Sequence, residues 1–462
     1  MKDSMTSQQR AGLYTITITQ FSLVFMLSAV AVAVPTMGRE FGAKASELGL
    51  VESAYISSVA MLLFPVTRLA DWLGRSFVFA LGVAVFTVVS VLLPVTRTID
   101  QFNFLRVFQG AGGAMMVSTG LAILADLFPH GQGRGKALGI ASAGVYLGLS
   151  AGPWLGGLIT TYLGWRYIFY IGAVPCAICL VVTLRSLRWR PRRTSGVRFD
   201  WLGALLCGAG MVLLSHGGSH FHDLTGRLML LGAIMFLVAF VAWEARSDCP
   251  LVDLKLFAGN KAFAYGSGVQ FISYAATFGI TFLVSVYLQM VLGLSASQAG
   301  LILLAQPVMQ VLFSPLGGNM ADRWPPHQVA ALGMVLATLG LGTALMLSPE
   351  SARLLVVVAL ALCGSGTAVF ATANTTVIMG SVGASHYGVA SAMVAAARTT
   401  GMTVSLVSIS VVLALTVGAQ AVDLQSMPQF MSAMRIVLTG FVFFSALGIV
   451  MCLKAPLLKR AE

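Results

Sequence analysis

Arg68-Leu69-Ala70-Asp71-Trp72-Leu73-Gly74-Arg75 breaks a long apolar run with a short charged turn, and a rougher copy returns at Asn319-Met320-Ala321-Asp322-Arg323-Trp324. Asp71 and Asp322 stand about 250 positions apart, and Gly135 and Gly148 are matched by Gly388 and Gly401 at nearly the same offset. Two landmarks repeating at one offset indicate a membrane unit built twice. Two similar helical bundles facing each other enclose a site that can open to either side of a bilayer.

The composition demands a bilayer. Hydrophobic residues make up 57% of the 462 positions and charged residues only 10%, against roughly 25% charge in soluble chains. The apolar runs are each roughly 17–25 residues long, the length at which a helix crosses the hydrocarbon layer. Backbone polar groups cannot stay unpaired in lipid, and continuous apolarity lacks the alternation of a barrel strand, so the runs read as helices. The first run has no A-x-A-like cleavage site and reads as a span, not as a removed signal. The expected fold is an all-α polytopic membrane protein of fourteen spans: a six-helix bundle over 1–186, a basic linker with two inserted spans over 187–261, and a second six-helix bundle over 262–462. The inserted pair reads from its apolarity as roughly 201–215 and 227–243.

The formal net charge of +12 does not point to nucleic acid, because its distribution follows topology. With the N-terminus inside, most lysines and arginines fall on the inner side, so both termini are expected in the cytoplasm. The dense run from Arg185 to Arg198 then reads as a topology anchor, with contact to anionic lipid as a second use. The six cysteines fall almost entirely within apolar runs and form no disulfide framework. Cys176 and Cys179 have redox-motif spacing, but an apolar helix is a costly place for a thiolate, and packing is the simpler reading. Loops are short. No phosphate-cradling loop, His-Glu-x-x-His or nucleophile elbow is present, which argues against an ATPase or enzyme. No cofactor is expected; the energy source would be an ion gradient, or the substrate's own gradient.

Several residues can carry chemistry. Asp71, beside Arg75 and Gly74, can lock the inner helix ends together in one state; the plainer alternative is a solvated turn, and the repeated Asp322 favours the latch. Gly144, Gly148, Gly152 and Gly156 recur every four residues beside Pro153, which puts them on one helix face and allows a bend. Such a helix suits the seam between two halves, although ordinary small-residue packing produces the same pattern. Arg106 lies inside the fourth span with Gln109 one turn further on, and a charge there requires a partner or a wet cavity. Glu52 counts as near the outer mouth, as a proton carrier or as an interfacial acid in water; Asp126 reads as interfacial and Arg398 as structural. Met26, Tyr55, Gln109, Gln270, Tyr287, Gln306, Gln310 and Asn374 are candidates for a substrate cavity, each equally capable of an interhelical hydrogen bond. His216, His220 and His222 with Asp223 resemble a metal cluster, but a polar outer loop is the simpler reading and no metal is expected.

Together these stretches resemble the major facilitator superfamily, and within it the fourteen-span drug:proton antiporters. Leu69-Ala-Asp-Trp-Leu-Gly-Arg75 is similar to the family's signature between spans two and three, and Arg106-Val-Phe-Gln-Gly110 to its fourth-span motif. Gly148-Leu-Ser-Ala-Gly-Pro-Trp-Leu-Gly-Gly157 resembles the antiporter motif of the fifth span. Gly164-Trp-Arg-Tyr-Ile-Phe169 and Phe199-Asp-Trp-Leu-Gly203 resemble the segments that flank the sixth span and open the extra pair. The chain departs from the pattern where Met26 replaces the acid usual in the first span, Thr67 a glycine and Ser76 a basic residue. The resemblance implies alternating access and proton exchange in a bacterial inner membrane, with multidrug efflux and antibiotic resistance as the associated phenotype. With no acid at Met26, Glu52 would take the coupling role and Arg106 would adjust its field.

The expected function is proton-coupled efflux of amphipathic organic compounds by a monomer, with protons, lipid and a small-molecule substrate as partners. The competing readings are a carrier for one metabolite or organic anion in the same fold, and a membrane sensor or scaffold that transports nothing. The lack of a sizeable soluble output domain counts against the last.

Overall fold

The computed structural model describes residues 5–43, 45–128, 134–186, 200–247, 249–252, 254–382, 387–418 and 427–454. The side chains of some helical residues, Asp71 among them, lie outside that description.

The first bundle runs through α1 (Ser7–Phe41), α2 (Ala45–Leu73), α3 (Arg75–Leu92), α4 (Ile99–Leu127), α5 (Arg134–Tyr162) and α6 (Arg166–Ser186). A hairpin of α7 (Trp201–Ser219) and α8 (Leu224–Glu244) follows, then the short α9 (Leu254–Gly259). The second bundle holds α10 (Lys261–Thr277), α11 (Ile280–Val286), α12 (Ala296–Leu303), α13 (Ala305–Arg323), α14 (Pro326–Leu345), α15 (Arg353–Gly380), α16 (Tyr387–Thr416) and α17 (Met427–Lys454). α10 and α11 continue through a π-helical turn as one span, Lys261–Val291, and α12 and α13 form another, Ala296–Arg323. Among the described residues, twelve helices are long and apolar enough to cross a membrane. The two remaining long helices, α2 and α5, have 29 residues each and pack along α4 and α1.

Local chemistry sets the turns. Thr6 and Gln9 form a reciprocal capping box at the start of α1, which ends at Gly42 with φ of 63°. Between α2 and α3 the chain reverses on the single residue Gly74, whose φ of 99° a side chain would resist. The copy in the second bundle turns differently. Trp324 is extended ahead of Pro325, as a residue before proline prefers, and α14 begins at Pro326. One turn therefore needs glycine and the other proline, which is why the second version reads as ragged.

The inserted pair is longer than its apolarity indicates. α7 continues through Ser219, so His216 lies in its last turn and His220 caps it, and α8 already begins at Leu224. Helix-compatible polar residues at the ends of these spans read as loop in the sequence. Asp200 holds the base of the hairpin: its Oδ1 accepts from Gly203 N at 2.8 Å and its Oδ2 from Trp243 Nε1 at 2.9 Å. The hairpin packs on α2 and α16 and so lies beside the junction of the bundles.

The bundles are joined at the end remote from the termini. Ser285 Oγ donates to Ala31 O at 3.0 Å, Gln289 Nε2 to Val32 O at 2.9 Å, and Ser297 N to Thr161 Oγ1 at 3.0 Å. At the same end, Gly157 and Gly300 bring the α5 and α12 backbones into contact: a Cβ on Gly157 would strike the Ala296 carbonyl, and one on Gly300 the Pro153 carbonyl. Gly300→Val is therefore expected to open this seal. Cysteines placed at Thr161 and Ser297 should cross-link readily in the otherwise unaltered chain and several-fold less when Gly300→Val is added.

Candidate functional site

Gly144, Gly148, Gly152 and Gly156 do share one face of α5, but that face lies against α1 of the same bundle. A Cβ on Gly144 would meet Thr17 O at 2.7 Å, and one on Gly156 would meet Ala29 Cα at 2.7 Å; Gly148 and Gly152 stand against Phe21 and Ser28. The expectation that this stripe forms the seam between halves is thus corrected. The seam is carried by Pro153 and Gly157, on a different face of the same helix. Spacing of four shows that a backbone comes close, but not which one.

The residues expected to form a latch make a contact that their sequence does not show. Arg75, first residue of α3, donates from Nη1 to Asp126 Oδ2 at 3.0 Å, tying α3 to the end of α4. Asp126 is thus an ion-pair partner and not merely interfacial. The side chains are 37% and 50% exposed, and such surface pairs contribute roughly 0–1 kcal/mol. Asp71 lies in the last turn of α2, and its side chain is outside the described residues. Asp322 is exposed at the end of α13.

The charged centre of the first bundle lies between α2 and α4. Gly110 has the Tyr55 carbonyl and Ser58 where a Cβ would stand, so the two helices meet there almost backbone to backbone. That approach lets Arg106 cross to α2. Its Nε donates to Val51 O at 3.0 Å, its Nη1 to Gln109 Oε1, and its guanidinium lies 4.6 Å from the centre of the Tyr55 ring. Gln109 Nε2 donates in turn to Ser90 Oγ at 2.8 Å and approaches Met26 Sδ at 3.5 Å. Met26, Tyr55 and Gln109, candidates for the substrate cavity, thus belong to the same cluster as Arg106.

Glu52 lies one turn before Tyr55, within electrostatic reach of Arg106. It is only 2% exposed, and Arg106 only 1%. Counting residues from the inner turn gives a depth and not a burial: Glu52 is inside the bundle and not in water at the mouth. Among the described residues, Glu52 Oε1, the Tyr55 hydroxyl and Arg106 Nη2 have no hydrogen-bond partner. Glu52 and Arg106 form no direct ion pair, and a buried carboxylate within electrostatic reach of a guanidinium, with bonding capacity left on both, is equipped to exchange a proton or to hold a polar group.

The second-bundle candidates divide into separate contacts. Asn374 Nδ2 donates to Gln270 Oε1 at 2.8 Å and to Gly266 O at 3.0 Å, linking α15 to α10. Thr281 Oγ1 donates to Gln306 Oε1 at 2.8 Å, and Gln310 Nε2 to Thr367 Oγ1 at 3.1 Å. Tyr287 is fully buried, and its hydroxyl donates to Ser348 O at 2.7 Å, bracing the loop after α14. Among the described residues no group of histidine, cysteine and acid has metal-binding geometry; His216 stacks on His220, and His222 pairs with Asp223.

A clasp with no local signal in the sequence sits at the end of the first bundle away from the Arg75–Asp126 pair. Glu40, at the end of α1, accepts from Trp165 Nε1 at 2.6 Å and from Arg166 Nη1, while Arg166 Nε donates to Pro94 O at 2.9 Å. The Gly164-Trp165-Arg166 motif supplies it: Gly164 turns with φ of 95° and presents both partners.

Two helical bundles closed at one end around buried charge define a membrane carrier. A model of the Major Facilitator Superfamily matches residues 16–245 and 266–460. The chain belongs to that family and is a multi-pass membrane transporter, not an enzyme. It is 31% identical over 366 residues to the cephamycin export protein CmcT of Amycolatopsis lactamdurans, covering 76% of this chain and 74% of that protein. It is 27% identical to the riboflavin transporter RibZ of Clostridioides difficile over 72% of each, and 30% identical to a multidrug resistance protein B homolog of Mycobacterium tuberculosis over 69% of this chain and 59% of that one. The fold matches a bacterial homolog of the human lysosomal transporter Spinster, solved inward-facing and unoccupied, with a TM-score of 0.70 at 15% identity over 98% of both chains. It also matches the peptide transporter POT in complex with sulfate, with a TM-score of 0.70 at 15% identity over 98% and 99%.

Removing one partner of a buried pair leaves the other charge uncompensated, at a cost of about 3–5 kcal/mol. Arg106→Met also removes the bonds to Val51 O and Gln109 and the contact with the Tyr55 ring, so it should lower the melting temperature of the purified protein more than Glu52→Gln does. The double variant should recover part of the loss.

Proposed function

We propose that this transporter is a fourteen-span, proton-coupled exporter of amphipathic organic compounds that works by alternating access. The observation that carries the reading is the buried Glu52 carboxylate beside Arg106, in a first bundle where Met26 occupies the usual acid position. Protonating Glu52 changes the net charge of the α2–α4 contact, and α2 also packs against α16 of the other bundle, with Ser57 Oγ 3.4 Å from Thr403 Oγ1. A proton can thereby bias the very helices that meet at the junction. The polar pairs Gln270–Asn374, Gln306–Thr281 and Gln310–Thr367 supply adaptable contacts for cargo from the second bundle.

Fourteen spans follow if α2 and α5 cross beside the twelve other helices, as their lengths and their packing inside the bundle support. The distribution of basic residues favours both termini in the cytoplasm of a bacterial inner membrane, and the sealed end is then the outer one. Relatives named for multidrug resistance and for cephamycin export support an export role. The second reading, a carrier for a single metabolite or anion, draws on buried Arg106 and on the riboflavin-transporter relative.

In proteoliposomes, Glu52→Gln should abolish the acceleration of transport by a pH gradient while substrate exchange without a gradient continues. Full pH-driven transport by the variant would refute the coupling role. Competition by lipophilic cations supports the exporter, and competition by one organic acid alone supports the specific carrier.

A further inference from the structure

Ser215 Oγ donates to Ser53 Oγ at 2.9 Å, and both side chains are buried. That bond fastens α7 of the inserted hairpin to α2 at the residue after Glu52, and the residue after Ser215 is His216. The last turn of α7 therefore brings an exposed imidazole to the height of the buried carboxyl, at the end remote from the termini.

Three imidazoles gather there. The His216 ring stacks on that of His220 with centroids 4.8 Å apart, and His220 lies 6.4 Å from His222, whose Nε2 is 3.2 Å from Asp223 Oδ2. Asp100, exposed in the first turn of α4, is within electrostatic reach of His216. Arg227 of α8 is engaged by the Phe221 carbonyl and ring. On the flanking elements stand Glu47, in the first turn of α2, and Arg97, ahead of α4. Lys44 and Asp423, of the α1–α2 and α16–α17 connections, lie outside the described residues.

Asn103 links this surface to the interior. It stands on α4 one turn inward of Asp100 and one turn outward of Arg106. The side chain is buried, and among the described residues neither its Oδ1 nor its Nδ2 has a partner. A buried amide unbonded at both ends is costly, and water repairs both because it donates and accepts. Arg106 Nη2 and Glu52 Oε1 continue the row of unbonded polar atoms.

We propose that the histidines at the end of the α7–α8 hairpin collect protons and pass them to Glu52, by way of Asp100 and a water held by Asn103. Imidazole is the side chain that ordinarily changes charge between about pH 5 and 8, so it loads and unloads near neutrality. Imidazolium rings this close repel, so the stack hands a proton on instead of holding several. The proton leaves an imidazolium nitrogen for an Asp100 oxygen, crosses the water at Asn103 and ends on the Glu52 carboxylate. The emptied imidazole reloads from solution. This inference rests on Glu52 as the coupling residue.

The test is a light-triggered acid jump on the full chain in weakly buffered nanodiscs, followed in the infrared at the protonated-carboxyl band that Glu52→Gln lacks. Replacing His216, His220 and His222 together by glutamine should leave the final amplitude unchanged and slow its rise several-fold. Added imidazole buffer should restore the rate. Asn103→Leu should also rise several-fold more slowly to full amplitude, without rescue, because its link is inside the bundle. Full amplitude shows that the variants are folded. The proposal is overturned if either variant rises as fast as the unaltered protein, or if imidazole fails to restore a slow triple variant; Glu52 then keeps its role. Absence of the band from the unaltered protein overturns the coupling reading and the proposal with it.

Discussion

Arg106 is the constraint around which the first bundle is organised. A guanidinium inside a membrane bundle has to find donors' partners and countercharge within reach, since lipid offers neither. Val51 O, Gln109, the Tyr55 face and Glu52 meet that need, and all but Gln109 belong to α2. The reach is short enough only because Gly110 lets α2 and α4 touch. The fourth-span sequence Arg-Val-Phe-Gln-Gly is therefore one device: a charge, its polar companion one turn along, and the gap that admits the neighbouring helix.

The same economy governs the seam. Apolar side chains gain little by packing helix on helix in a bilayer, where the alternative is equally apolar lipid, so close backbone contact and a few polar bridges hold the bundles. α5 does this with Pro153 and Gly157 against α12, while Gly144 to Gly156 bring it equally close to α1 of its own bundle. A carrier needs such a contact to separate cleanly. Backbone surfaces at glycine release without disentangling long side chains, and the hydrogen bonds at Ala31, Val32 and Thr161 are few.

Much of this was legible in the sequence where the signal is local. The charged turn marks the α2–α3 reversal, and the spacing of Arg106, Gln109 and Gly110 puts them within about one turn of α4. What escaped depends on distant chain meeting in space. Asp126 looked interfacial because Arg75, its partner, is remote in sequence. The glycine stripe announced a close approach but not the helix that makes it. Glu52 reads as an acid near the mouth and lies inside the bundle, because residue counting gives depth and not burial.

The account turns on Glu52 taking up and releasing a proton while buried beside Arg106. Infrared difference spectra of the purified protein, recorded as pH is lowered and compared with those of Glu52→Gln, observe that event at the carboxyl group itself. The account predicts a protonated-carboxyl band that grows as pH falls, shifts in heavy water and is missing from the variant. Identical spectra for the two proteins across the whole pH range would contradict it.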